Sequence, residues 1–435
     1  MAGAGASGDA GAESGARAKV DARQKVDARA KVDARPRAGT RGGAKAAARE
    51  LLRLRLAAQG VAPAREVSVG EVVERMLAMQ AQDFAQASWA VGLRAPGSTR
   101  AELTAALDAG EIVRSWPMRG TLHFTRPDDL RWMLAITASR TVRTMAKRHR
   151  DLGLDDAAFE RASGIARSEL SGGGAASREE FMALLGAGGV ATDGQRGMHL
   201  IWRLAHDGLL CWGPARGTQQ ALVLLDEWAP PTREPSRDEA LGEFVLRYFA
   251  GHGPATLKDF CWWSKVSVAD AAHGLDLVRD QLEEVALGDT SYWVTAGAPA
   301  EANGAVTSTA AARAGGAVTA TGAVAPAARR TASAFHALPG FDEYLLGFQS
   351  RSPALPEEFS ARIVPGENGV FLPMLVSHGT IVGTWKRAVS ASKVTITPTP
   401  FAPLSASEQA GFEREFRRFA RFLGLPLVIA DGLAS

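Results

Sequence analysis

Three times along this 435-residue chain, a helix signal, a turn, a second helix signal and two short strand-like runs follow one another. In the first round Leu51, Leu52, Leu54 and Leu56 open a helix. Val69–Phe84 then reads as a second, with Val72, Val73, Met76 and Leu77 on one stripe. Ser98 or Thr99, just after Pro96-Gly97, caps a helix over Arg100–Asp108. Ile112–Trp116 and Thr121–Phe124 read as strands about a Pro117–Gly120 turn. The second round opens on a capping box, Ser177-Arg178-Glu179-Glu180, leading into Phe181–Leu185. A helix over Met198–His206 follows, with strands at Leu209–Gly213 and Gln220–Leu225. The third runs from Gly253-Pro254 through Leu257–Trp263, a helix at Val268–Glu284, and strands at Val285–Leu287 and Tyr292–Val294. This is the outline of winged helices in tandem, modules that set one helix and a hairpin wing against duplex DNA or serve as protein–protein contacts.

From Phe335 the pattern turns to strands at Gly369–Val376, Gly379–Trp385 and Val394–Pro398. A helix over Ser405–Leu423 closes them, with Phe412, Phe416, Phe419 and Leu423 on one apolar stripe. The expected class is therefore α+β: tandem winged-helix motifs followed by a small C-terminal β-barrel. The expected domains are winged-helix units at 48–176, 177–232 and 233–296, and a barrel with its closing helix at 335–435. Residues 1–47 and 297–334 are low in complexity, and both are expected to be disordered.

Charge is unevenly spread. The net +3 contains a local excess of +5 in residues 1–47, which leaves about −2 for the rest. An acidic partner must then be met by a local patch. Arg140, Arg143 and Lys147 recur at helical spacing, with Arg148 beside them, and are the clearest candidates to follow a phosphate backbone. Cys211 and Cys261 are the two cysteines and lie far apart, which excludes a disulfide scaffold and fits a reducing cytoplasm. No apolar run is long enough to span a bilayer, so no membrane partner is expected. No P-loop, dinucleotide fingerprint, HExxH or nucleophile elbow occurs. The eight histidines are scattered, so neither a metal nor a cofactor is expected.

The segment Arg75–Phe84, with Gln80-Ala81-Gln82 inside it and Ala87-Ser88-Trp89-Ala90 and Arg94 behind it, resembles the signature of the AlkZ/YcaQ-like winged-helix family. That signature is Gln, a hydrophobic residue, then Gln or Asp. Arg119-Gly120-Thr121-Leu122-His123, Leu338–Tyr344 and Gly379–Arg387 with its Gly383-Thr384-Trp385 resemble further blocks, in the family's order, over about residues 48–430. The resemblance implies a monofunctional DNA glycosylase acting on duplex DNA carrying N7-alkylated purines, including bulky adducts and interstrand crosslinks. It implies a monomer with Gln80 and Gln82 as catalytic residues, supported by Asp83, Arg119 and His123.

The chemistry suits those residue types. An N7-alkylpurine already carries positive charge, so the departing base needs no general acid. Gln is no base near neutral pH, but its amide oxygen can orient water and face a sugar cation. On a continuous helix, however, residues two apart point about 200° away from each other. Both Gln reach one site only if the helix ends or distorts there, and Asp83-Phe84 would mark that end. Two other readings stay open on the sequence: a non-enzymatic DNA-binding regulator and a protein-interaction scaffold.

Overall fold

The computed structural model describes residues 38–63, 66–216, 219–297, 307–308, 333–367 and 369–430. Contacts divide the chain into two compact units, Met1–Ala46 and Ala47–Ser435, and of the first only the opening turns of helix α1 (Ala38–Ala58) are described. That helix begins inside the segment expected to be a disordered tail. The remainder of the tail, and nearly all of 297–334, lie outside the described residues.

The larger unit is α+β. Ser68 and Glu71 close a capping box at the start of α2 (Val69–Met76), which buries Val72, Val73 and Met76. The helix expected to run on to Phe84 stops here. Leu77 takes φ +64° and ψ −52°, and the chain enters strand β1 (Ala78–Gln80). Leu77, Ala78 and Met79 are all buried, so their hydrophobicity continues the helical signal. What overrides it is pairing with a distant strand, since short apolar runs do not separate helix from strand. Asp83 does not end a helix but starts one, its Oδ1 accepting from the N–H groups of Ala85 and Gln86 at the head of α3 (Phe84–Arg94).

After α4 (Arg100–Asp108) come β2 (Val113–Met118) and β3 (Thr121–Thr125), as expected from their alternation. Two helices, α5 (Pro127–Asp151) and α6 (Asp156–Leu170), precede α7 (Arg178–Ala187), whose predicted capping box forms, and α8 (Arg196–His206). Strands β4 (Leu210–Arg216) and β5 (Gln219–Leu224) complete this half. The first two hairpins share one five-stranded sheet, ordered β1-β3-β2-β4-β5 and joined where Arg114 faces Trp212.

Helix α9 (Arg237–His252) leads to α10 (Leu257–Ser264) and α11 (Val268–Leu277). The last is shorter than its sequence suggests, because Val285 and Leu287, two apart, turn inward from strand β6 (Leu282–Leu287), paired with β7 (Thr290–Thr295). The C-terminal part holds β8 (Phe335–Leu338), a helical turn α12 (Glu343–Leu346), β9 (Met374–Ser377), β10 (Thr380–Val389), β11 (Val394–Pro400), α13 (Ala406–Leu423) and β12 (Leu427–Ile429). Its sheet, ordered β12-β11-β10-β9-β8, is a curled half-barrel with β8 and β12 at its edges. The expected barrel is thus half-formed: five strands curl without their edges meeting.

Helix α13 buries Phe412, Phe416 and Phe419 as its stripe predicts, and Phe419 meets the Trp89 ring edge-on with 5.0 Å between centroids. Gly92 permits this approach, since a Cβ there would lie 2.4 Å from the Phe422 ring. Trp89 and Trp385 donate from Nε1 to the carbonyls of Ala337 and Leu338, both at 2.8 Å. Between α3 and the turn before α12, Arg94 and Asp342 form a bidentate pair with both contacts at 2.8 Å. Arg94 also donates to the Gln59 carbonyl, the Gln59 side chain and the Ala90 carbonyl, and is 1% exposed.

Removing one partner of such a pair strands a buried charge. Arg94→Met or Asp342→Asn should each cost about 3–5 kcal/mol in chemical denaturation. Arg94→Met/Asp342→Leu should cost clearly less than the two single losses combined.

Candidate active site

The pairing of β1 with β3 sets Gln80 opposite His123 and Met79 opposite Phe124. Alternation along an extended backbone then turns Gln80 and Gln82 to the same side. The i, i+2 spacing that is incompatible with one helical face is what a strand requires. Gln80 is half-buried and Gln82 exposed, while Ala81 between them is buried.

Both amides meet the β2–β3 hairpin. The Gln82 Oε1 accepts from the Leu122 N–H at 3.1 Å, and the Gln80 Oε1 accepts from Arg119 Nη2 at 3.3 Å. Arg119 and Gly120 form the two-residue turn of this hairpin, with φ of +59° and +68°. Positive φ at both central residues matches the twist of the strands, but it strains a side chain as large as Arg. Leu77 and Phe341, which precede Gln80 and Glu343 by a few residues, also have positive φ, of 64° and 59°. Strain thus gathers around one locus.

Arg119 Nη2 also lies 2.8 Å from His123 Nε2. Nε2 must accept from the guanidinium, so the ring proton sits on Nδ1 and is donated to the Thr121 carbonyl at 2.8 Å. Burial, and after it the Arg119 charge, push the His123 pKa down to about 3. At neutral pH this histidine is uncharged. It orients Arg119 and supplies no proton.

Sequence reasoning missed the residue beneath this cluster. Glu343, 1% exposed, accepts from the Gln80 backbone N–H at 3.1 Å and from Trp263 Nε1 at 2.8 Å, and lies 3.8 Å from Arg119. His252 Nε2 is 3.6 Å away. Burial raises the Glu343 pKa, but the His252 ring and the Arg119 guanidinium outweigh it and hold the carboxyl low, at about 2. Its signal was present as an Asp-Glu pair in an otherwise apolar block, Leu338–Tyr344. Arg114 was missed as well. It donates to the carbonyls of Ala81, at 2.9 Å, and Gln82, at 3.3 Å, and so fixes the main chain between the two amides.

The remaining candidates divide. Asp83 is spent on capping α3 and makes no contact with the Arg119 cluster. Arg140, Arg143, Lys147 and Arg148 are all exposed on α5. Lys147 pairs with Asp151 at 2.7 Å and Arg148 donates to Gln195 at 2.6 Å. Among the described residues no hydrogen bond or ion pair holds Arg140 or Arg143. Just past the end of α10 stands a further cation, Lys265, whose Nζ lies 3.7 Å from the centre of the exposed Trp262 ring. Burial first, then the charges of Arg119 and Arg140, lower the Lys265 pKa. Beside Gln82 opens a cavity of about 370 Å³, bounded by Gln82 and Arg119 on one side and by Thr141, Thr144 and Met145 of α5 on another.

A family model described as DNA glycosylase AlkZ-like matches residues 73–422. The chain belongs to the AlkZ-like DNA glycosylase family. It is 26% identical over 375 residues to the interstrand DNA cross-link repair glycosylase of Streptomyces sahachiroi, spanning 82% of this chain and 91% of that protein. Among solved structures, the Streptomyces sahachiroi DNA glycosylase AlkZ superposes with a TM-score of 0.67 at 25% identity, covering 88% of this chain and 99% of that one. As a DNA glycosylase of this family the chain acts on DNA. No helix among its described residues is long and apolar enough to cross a membrane.

The Glu343 shift has a definite sign. A carboxyl whose folded pKa lies below its unfolded value adds stability above the unfolded pKa, near 4.3, and loses it as pH falls toward 2. Glu343→Gln should therefore destabilise the protein by about 3 kcal/mol at neutral pH, and urea titrations should show that deficit shrinking between about pH 4 and pH 2.

Proposed function

We propose that this chain is a monofunctional glycosylase that hydrolyses the N-glycosidic bond of N7-alkylated purines in duplex DNA, bulky adducts and crosslinks included, with Gln80 and Gln82 as its catalytic residues. The reading is carried by the two amides meeting one hairpin, Gln80 on Arg119 and Gln82 on the Leu122 N–H, beside a cavity and a histidine, His123, that is uncharged at neutral pH. A reaction that needs no acid suits such a site. As the C1′–N9 bond breaks, its electron pair passes to the base and cancels the charge that alkylation placed there. The water oxygen bonds to C1′ and its proton leaves to solvent.

Each amide oxygen has a second lone pair beyond the hydrogen bond it already accepts. Those lone pairs orient the water and face the developing sugar cation, and groups already fixed in place need no reorganisation at the moment of reaction. The nearby guanidinium would oppose a cation, but Glu343 compensates it at 3.8 Å. Arg119 then remains available to the flanking phosphate. Arg140 and Arg143 extend the phosphate track along α5, supported by Lys265. In this scheme the units at 48–176, 177–232 and 233–296 act as winged helices around the duplex, with the sheet of 335–435 closing the channel. Crosslink repair is favoured by the name of the Streptomyces sahachiroi relative.

A duplex with a single N7-methylguanine, followed by alkaline cleavage of the abasic product, tests the chemistry. Gln80→Ala and Gln82→Ala should each lower single-turnover excision by about 100- to 1,000-fold with binding retained. Binding without excision by the unaltered protein would favour the regulator reading instead. Arg140→Ala/Arg143→Ala should weaken binding on any duplex sequence and flatten the plot of log affinity against log salt by about two units of slope.

A further inference from the structure

The cavity beside Gln82 is shaped for more than water. Besides Gln82 and Arg119 it is walled by Trp116, Met145, Met198 and Trp202. Two indoles and two thioethers make a polarizable lining suited to flat ring systems. The volume, about 370 Å³, falls in the range of small-molecule sites. Trp202 is held in place from behind: the His206 ring lies 3.8 Å from it, centre to centre, and His206 Nδ1 is 2.8 Å from the Trp202 carbonyl. Trp116 is 4% exposed, whereas Met198 stands at the mouth, 37% exposed.

The charge on these walls decides between occupants. No carboxylate lines the cavity, and one wall carries the Arg119 guanidinium. His199 and His206 are kept neutral, chiefly by burial. With Arg119 compensated by Glu343, no carboxylate on these walls draws in a cationic alkylpurine ring, and the uncharged indole and thioether lining suits a neutral aromatic group.

We infer that this cavity receives the neutral, planar substituent attached at N7, while the purine itself stays outside it against the two glutamines. The assignment rests on the glycosylase reading above and adds what that reading lacks, a basis for selecting bulky adducts. Trp202 and Trp116 sandwich or edge the substituent, and Met145 and Met198 adapt to its outline. Small adducts leave the cavity unused.

The test compares affinities for two duplexes that differ only in one base, N7-benzylguanine or N7-methylguanine, each on a 2′-fluoro sugar that blocks hydrolysis. Binding is read by fluorescence anisotropy, so the result does not depend on turnover. The full chain should bind the benzyl duplex roughly tenfold more tightly, in keeping with one aromatic stacking contact. Trp202→Ala should bring the ratio of the two affinities close to one. Thr144→Phe, at an exposed lining position where folding is not endangered, should do the same by filling the space. A ratio near one in the unaltered protein overturns the assignment, as does a preference that survives both substitutions. Equal binding sinks the pocket alone, whereas failure to bind either duplex sinks the glycosylase reading with it.

Discussion

The bidentate contact between Arg94 and Asp342 joins two segments 248 residues apart in the chain, and the site hangs from it. Arg94 closes the helix that follows the two glutamines, and Asp342 directly precedes Glu343. Fixing this pair fixes the Glu343 carboxylate under the Gln80 N–H and within reach of Arg119. A buried pair of this kind adds little net stability over an apolar replacement, because desolvation cancels most of the attraction. What it adds is position. An apolar contact could slide by an ångström, whereas two parallel hydrogen bonds from a planar guanidinium define both distance and orientation.

Much of the architecture was legible because its signals are local. The capping box at Ser177 forms as its sequence predicts, the closing helix starts at Ser405 where expected, and the Phe412–Phe416–Phe419 stripe is buried. The hairpins appear where alternation placed them. The failures share a cause, which is long-range pairing. Val69–Phe84 reads as one helix because Leu77, Ala78 and Met79 are apolar whether they lie on a helix or in a strand, and β3, some forty residues on, decides the matter. The terminal sheet likewise reads as a barrel, since edge pairing leaves no mark in a single strand's composition. At the site, Gln80, Gln82, Arg119 and His123 were legible as residues, but their geometry was not, because it depends on that strand. Glu343 was passed over for a different reason. Even in an Asp-Glu pair within an apolar block, a carboxylate reads as solvent-facing, and only the meeting of Arg119, His252 and Trp263 around it, from three separate elements, makes its burial tolerable.

Charge placement follows the same logic. The chain after residue 47 is close to neutral, which on average would not hold a polyanion. The cations are not averaged, however. Arg119 in a turn and Arg140 on a helix both lie near enough for their charges to act on Lys265, just past the end of another helix. Like charges brought together in this way cost stability in the free protein. In the proposed complex that cost is returned when a phosphate neutralises them, which would match the patch better to the bound state than to the free one.

The chemistry proposed for the two glutamines also depends on what surrounds them. A general base would ionise and bind the sugar cation, but a charged carboxylate at that position would also attract the cationic base in the ground state and hold substrate and transition state alike. Interactions equal in both states do not accelerate the bond-breaking step. Neutral amides backed by a neutral histidine leave the local field to the Arg119–Glu343 pair, which is already compensated. In the proposed reaction the positive charge begins on the base and ends on the sugar, and oriented dipoles at the sugar end favour that migration without binding the starting cation tightly. Carrying polarity without charge requires rigid placement, because a dipole's effect falls off faster with misalignment than a charge's. The strained Arg119–Gly120 turn, the Arg114 contacts to the main chain and the Gln80–Glu343 hydrogen bond supply that placement.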